Sequence, residues 1–160
     1  MARSEPRPAA AATALTIKDL LSYRIHRVAN ALSRGAALRY REGFDVSLME
    51  WRTIALLGDF APMTLKELAR QSSLDKGLAS RVVSGLVARG LVKREVSPGD
   101  ARERALALTA AGRRLHRGLM EAARERDRAF RAALTPGEAA ALDSALEKLL
   151  RVARAQGRVA

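Results

Sequence analysis

The chain has 160 residues, 48% of them hydrophobic and 4% aromatic, which excludes a disordered polypeptide and suits one domain rich in helix. Lys and Arg number 29 against 17 Asp and Glu, a net charge of +12 that draws a polyanion, nucleic acid first among them, although a merely solvated basic surface would carry the same charge. The absence of cysteine excludes disulfides, thiolate zinc sites and thiol-based redox sensing, and two histidines are too few for a histidine metal cluster, so neither metal nor cofactor is expected.

Residues 1–14 lack the apolar stretch and cleavage pattern of a signal peptide and read as a flexible tail. No apolar run approaches the length needed to span a bilayer, so a cytoplasmic protein with no membrane partner is expected. From Ile17 to about Arg41, Ile17, Leu20, Leu21, Ile25, Val28, Ala29, Leu32 and Ala36 recur at helical spacing, and Gly43 marks the expected end. Ser47 and Glu50 form a capping-box pattern opening a second helix to Leu57, with a turn at Gly58, Asp59 and Pro62. Thr64 and Glu67 repeat the pattern for a short third helix to about Gln71. Asp75 caps a fourth helix that runs to Arg89, turns Leu78, Val82, Val83 and Leu86 inward, and stops at Gly90.

Leu91–Arg94 and Arg104–Leu108 read as two strands around a turn at Ser97–Asp100, a hairpin with a basic tip. Thr109 caps a charged fifth helix to about Ala133. Thr135-Pro-Gly-Glu138 opens a sixth, with Ala139, Leu142, Leu146, Leu149, Leu150 and Ala153 on one face. The order helix, helix, helix-turn-helix, hairpin, helix, helix predicts a mainly α fold with a small β-hairpin wing. In such a winged helix-turn-helix the fourth helix enters the DNA major groove. Its outward residues Lys76, Gly77, Ser80, Arg81 and Ser84 suit base or phosphate contact, and Arg81 has the fork to read guanine, although a plain surface arginine fits the pattern equally. Lys93, Arg94 and Arg104 flank the wing as candidate phosphate neutralisers. Arg102 at the wing tip suits a narrow minor groove. No nucleophile with a base, phosphate-binding glycine loop or metal-ligand spacing is present, so an enzyme is not expected.

Leu68-Ala-Arg, the run Leu86-Val-Ala-Arg-Gly-Leu-Val-Lys-Arg94 and the wing pattern Asp-x-Arg at 100–102 followed by Leu-x-Leu-Thr at 106–109 resemble the MarR family of multiple-antibiotic-resistance regulators. The resemblance extends over residues 17–155. It implies a homodimer held by the first, fifth and sixth helices. The domains are then a dimerisation helix at 15–46, a DNA-binding winged helix-turn-helix at 47–108, and dimerisation helices at 109–160. It also implies that Arg102 enters the minor groove and that Asp100 helps fix the wing. The function implied is a sequence-specific repressor on a pseudo-palindromic operator, released by a small aromatic or phenolic acid, with a non-specific architectural DNA binder of the same fold as the alternative. The effector would lie between the first, second and fifth helices, with Arg24, His26, Tyr40, Met49, Trp51 and Met63 as candidate contacts. Trp51 and Met63 also fit plain core positions. Gly77 and Gly85 are unusual in a recognition helix, where each costs up to about 1 kcal/mol relative to Ala.

Overall fold

The computed structural model describes residues 15–72, 74–96 and 104–157. It divides into two compact units, Met1–Leu48 and Met49–Ala160.

The first unit opens with a 3-10 turn, Ile17–Asp19, held by Thr16, whose backbone N–H and hydroxyl both donate to the Asp19 carboxylate at 2.9 and 2.7 Å. These bonds, the hydroxyl's first, hold the Asp19 pKa below its ordinary value. Helix α1 (Leu21–Phe44) follows. It starts four residues later than its periodicity suggests, because Leu20 is extended and separates it from the turn. Gly43 does not end it. The helix closes at Asp45, which takes the left-handed conformation at φ 50 and donates its N–H to the carbonyls of Arg41 and Tyr40. Aspartate tolerates that region better than most side chains. Ala36 and Tyr40 are buried, whereas Leu21, Val28 and Leu38 are exposed.

Helix α2 (Leu48–Phe60) runs through Gly58 and Asp59, where a turn was expected. Gly58 has a packing role instead: a Cβ there would overlap the His116 ring. His116 Nε2 also lies 3.6 Å from the Asp59 carboxylate. Immediately after Pro62 comes a strand that hydrophobic periodicity could not reveal, β1 (Met63–Thr64). Helix α3 (Leu65–Ser72) begins where Thr64 and Glu67 exchange bonds. Thr64 N–H donates to Glu67 Oε2 at 2.8 Å and Glu67 N–H donates to Thr64 Oγ1 at 3.2 Å.

Asp75 caps helix α4 (Lys76–Ala88) by accepting the Leu78 N–H at 2.8 Å. Gly90 at φ +68 ends it, with Gly90 N–H on the Val87 carbonyl and Leu91 N–H on the Leu86 carbonyl, the left-handed termination that glycine permits. Strands β2 (Val92–Val96) and β3 (Arg104–Leu108) pair antiparallel, and β1 pairs with the other edge of β3. The expected hairpin is therefore part of a three-stranded sheet, β1-β3-β2. Ile54, Leu57, Leu68, Val83, Leu86, Val92, Leu106 and Leu119 form its core. Leu78 and Val82 are only half-buried, and the small residue Ala79 is fully buried beside Val83.

Thr109 joins the sheet to helix α5 (Ala110–Arg131). Its hydroxyl donates to the Gly90 carbonyl at 2.7 Å and accepts the Gly112 N–H at 3.0 Å, while its N–H donates to the Leu91 carbonyl at 3.0 Å. A Cβ on Gly112 would overlap that same Leu91 oxygen. Helix α6 (Pro136–Gln156) starts with Thr135 and Glu138 in a reciprocal capping box. Arg131 bonds Asp127 within α5 and Asp143 on α6, at 3.0 and 3.2 Å. Helix α6 buries none of its residues, and its apolar row Leu142, Leu146, Leu150 is about half exposed throughout.

Candidate nucleic-acid interface

Two opposite edges of α4 define the site. One edge carries Ala79, Val83 and Leu86, which are buried. The other carries Lys76, Gly77, Arg81, Ser84 and Gly85, all exposed, with Ser80 half-buried at its border. At 3.6 residues per turn, Gly77, Arg81, Ser84 and Gly85 fall along one stripe of the helix surface. The N-terminus of that stripe is fixed by the Asp75 cap, and its C-terminus is braced by an ion pair from Arg89 to Glu50 on α2 at 2.9 Å.

The two glycines of the stripe differ. A Cβ on Gly77 would come within 3.2 Å of the capping Asp75 oxygen, which would have to shift by a few tenths of an ångström. A Cβ on Gly85 would meet nothing within 4 Å. Packing within the chain therefore does not require glycine at 85.

The wing strands carry the other expected contacts. Lys93 pairs with Glu95, two residues along the same face of β2. Arg94 points from the opposite face, and its Nη2 donates to Ser84 Oγ on α4 at 3.1 Å. Arg104 is exposed at the start of β3. Asp100 and Arg102 lie outside the described residues. The structure thus brings Ser84 and Arg94 together, which no spacing in the sequence shows: they lie ten residues apart, on a helix and on a strand.

Of the candidate effector contacts, Arg24, His26 and Tyr40 belong to the first unit. Arg24 and His26 are exposed on α1, where His26 Nε2 lies 2.8 Å from the Asn30 amide, and Tyr40 is buried. Met49, Trp51 and Met63 belong to the second unit. Met63 is buried in β1, as a core position requires. Trp51 is half-buried and, with Arg52 and Ala55 of α2 and Gln71 and Ser72 of α3, lines an open groove of about 480 Å³. No described helix is long and apolar enough to cross a membrane, and the described residues contain no group of three or more His, Asp or Glu placed to hold a metal ion.

Residues 44–103, which contain α2, α3, α4 and β2, match the family model described as MarR family. The chain is 28% identical over 127 residues to the HTH-type transcriptional repressor NicR of Pseudomonas putida, covering 78% of this chain and 80% of NicR. Among solved structures it resembles the MarR/EmrR family transcriptional regulator of Acinetobacter sp. ADP1, with a TM-score of 0.80 at 24% identity, covering 88% of this chain and 99% of that one. It also resembles MepR of Staphylococcus aureus in a DNA complex, with a TM-score of 0.75 at 20% identity, over 83% of this chain and 98% of the other. The helix-turn-helix segment of the chain thus matches the MarR family model, and the chain as a whole is similar to transcription regulators of that family.

Proposed function

We propose that this protein is a transcription repressor that binds a pseudo-palindromic operator as a homodimer. One observation carries the reading: α4 buries Ala79, Val83 and Leu86 while holding Lys76, Gly77, Ser80, Arg81 and Ser84 on the opposite edge, which is half to fully exposed, with a fixed N-terminus. A helix of that kind fits a major groove about 12 Å wide. The net charge of +12 favours the encounter, and NicR, the relative named above, is a repressor. The dimer is supported by the half-exposed row Leu142, Leu146, Leu150 on α6, which a second copy would cover. Arg102 would enter the minor groove beside each recognition helix and Asp100 would fix the wing, as in the family pattern these residues match.

A small aromatic acid is the proposed releasing ligand. Within the second unit, half-buried Trp51 and exposed Arg52 line an open groove that offers an aromatic surface beside a guanidinium, which suits an aromatic carboxylate.

Selection of bound sites from random DNA, followed by footprinting, tests the reading. The expected result is two protected half-sites about one helical turn, roughly 34 Å, apart. Protection without a preferred sequence would instead make the protein an architectural binder. Within the selected operator, Arg81→Ala is expected to lose about 1–3 kcal/mol of affinity and to relax specificity at one base pair. Equal loss on every sequence would reduce Arg81 to a phosphate contact. Adding a panel of aromatic acids to the footprint tests the ligand, which should release the operator.

A further inference from the structure

The wing base carries basic side chains in two different states. Lys93 and Glu95 share one face of β2 and neutralise each other. Arg94 leaves the other face, in register with buried Leu106 on β3 and two residues from buried Val92. Arg94 is itself exposed, so its stem lies across these apolar neighbours with its guanidinium open to solvent. Its far end is fixed by the 3.1 Å bond from Nη2 to Ser84 Oγ. Ser84 is itself exposed in the α4 stripe that contains Arg81. Arg104 lies on the same face of the sheet as Arg94, since it stands two residues before Leu106 on β3. Such diagonal neighbours sit about 7–8 Å apart. Among the described residues, Arg81, Arg94 and Arg104 have no carboxylate partner. Like charges placed together without a counter-charge favour an incoming anion.

We propose that Ser84 is a positioning residue: it holds Arg94 against the recognition helix so that Arg94, with Arg104 beside it, grips a DNA phosphate at the edge of the groove that α4 enters. This rests on the DNA-binding reading above and refines it. A guanidinium has five N–H donors, so one bond to Ser84 leaves the others for a phosphate. Because the side chain is ordered before DNA arrives, binding does not have to order it. Lys93 differs on both counts. It lies on the other face of β2 and would have to leave Glu95.

The experiment uses the full chain and a random-sequence duplex of about three helical turns, titrated between about 50 and 200 mM salt. Arg94→Gln is expected to weaken binding about tenfold and to lower the salt slope by about one phosphate contact. Ser84→Ala, which removes no charge, should weaken binding about threefold to fivefold with the slope kept. The double variant should bind no worse than Arg94→Gln alone, because Ser84 acts only through Arg94. Ser84→Thr keeps the hydroxyl and should restore wild-type binding. Losses that multiply in the double variant, or an unchanged slope in Arg94→Gln, would overturn the inference while leaving the DNA-binding reading intact. Failure of the wild-type chain to bind the duplex at low salt would overturn both.

Discussion

Leu86 and Leu146 are the same residue on helices of comparable amphipathic pattern, yet Leu86 is 0% exposed on α4 and Leu146 is 47% exposed on α6. The helix-turn-helix and its sheet complete their core within one chain: α3, α4 and the three strands bury one another's apolar faces. Helix α6 has the caps and the apolar row of a well-formed helix, but that row stays about half exposed among the described residues. A reading head must hold its shape before it meets DNA, whereas a row of leucines held half-open suits a surface that another chain completes. Burying one leucine is worth about 1.5–3 kcal/mol, so three half-exposed ones represent several kcal/mol available to association.

The sharpest way to break this contrast is to charge the open row. Replacing Leu142, Leu146 and Leu150 together by Asp should dissociate the proposed dimer in sedimentation, shifting its dissociation constant by more than about 100-fold, while the helical signal of the monomer persists. An intact dimer would show that the row serves another purpose. On the closed side, Gly112→Ala forces a Cβ into the Leu91 carbonyl, which is backbone and cannot rotate away. We expect a loss of about 3 kcal/mol, and a fall in the melting temperature of about 6–12 °C. The helix starts give smaller effects. Thr135→Ala removes the α6 cap and should cost about 1 kcal/mol at neutral pH.

The same cap has a pH dependence. Bonds to Glu138 from the Thr135 N–H and then its hydroxyl hold the Glu138 pKa below its ordinary value. That contribution is therefore complete above the ordinary glutamate pKa of about 4.3 and disappears as pH falls through the lower folded value. Thermal melts of the wild type and Thr135→Ala should differ most near neutrality and draw closer in acid, a residual difference remaining because the Glu138 N–H bond to the Thr135 hydroxyl does not titrate. The smallest effect has the opposite sign. Gly85→Ala meets open space and replaces a poor helix former, so it should raise stability by up to about 1 kcal/mol. A drop in stability would mean that something within the chain approaches Gly85 closely.

Much of this was legible in the sequence, and the exceptions have physical causes. Asp75, Thr109 and Thr135 announce their helices because a cap needs one side chain at a fixed offset from backbone amides, a local requirement. Val83 and Leu86 are readable as core for the same local reason, their helical spacing. Gly58 misled because a glycine that signals a turn and a glycine that admits a neighbouring ring look alike until His116 is in place. Strand β1 is two residues long, too short for any alternation, and exists only because β3 offers a free edge. Within the candidate site, the residue types on α4 were readable, but the partnerships were not. Whether Lys93 meets Glu95 and Arg94 meets Ser84, rather than the reverse, depends on which face of β2 lies over α4.

The junction at Thr109 has a mechanical consequence. The carbonyls of Gly90 and Leu91, where the recognition helix ends, are held by the first residues of α5 through a hydroxyl, an amide and a glycine with no room for a side chain. No slack loop separates the two helices at that point. A tilt imposed on α5 from its far end would therefore reach α4 as a rigid lever stroke, with no spring between them to absorb it.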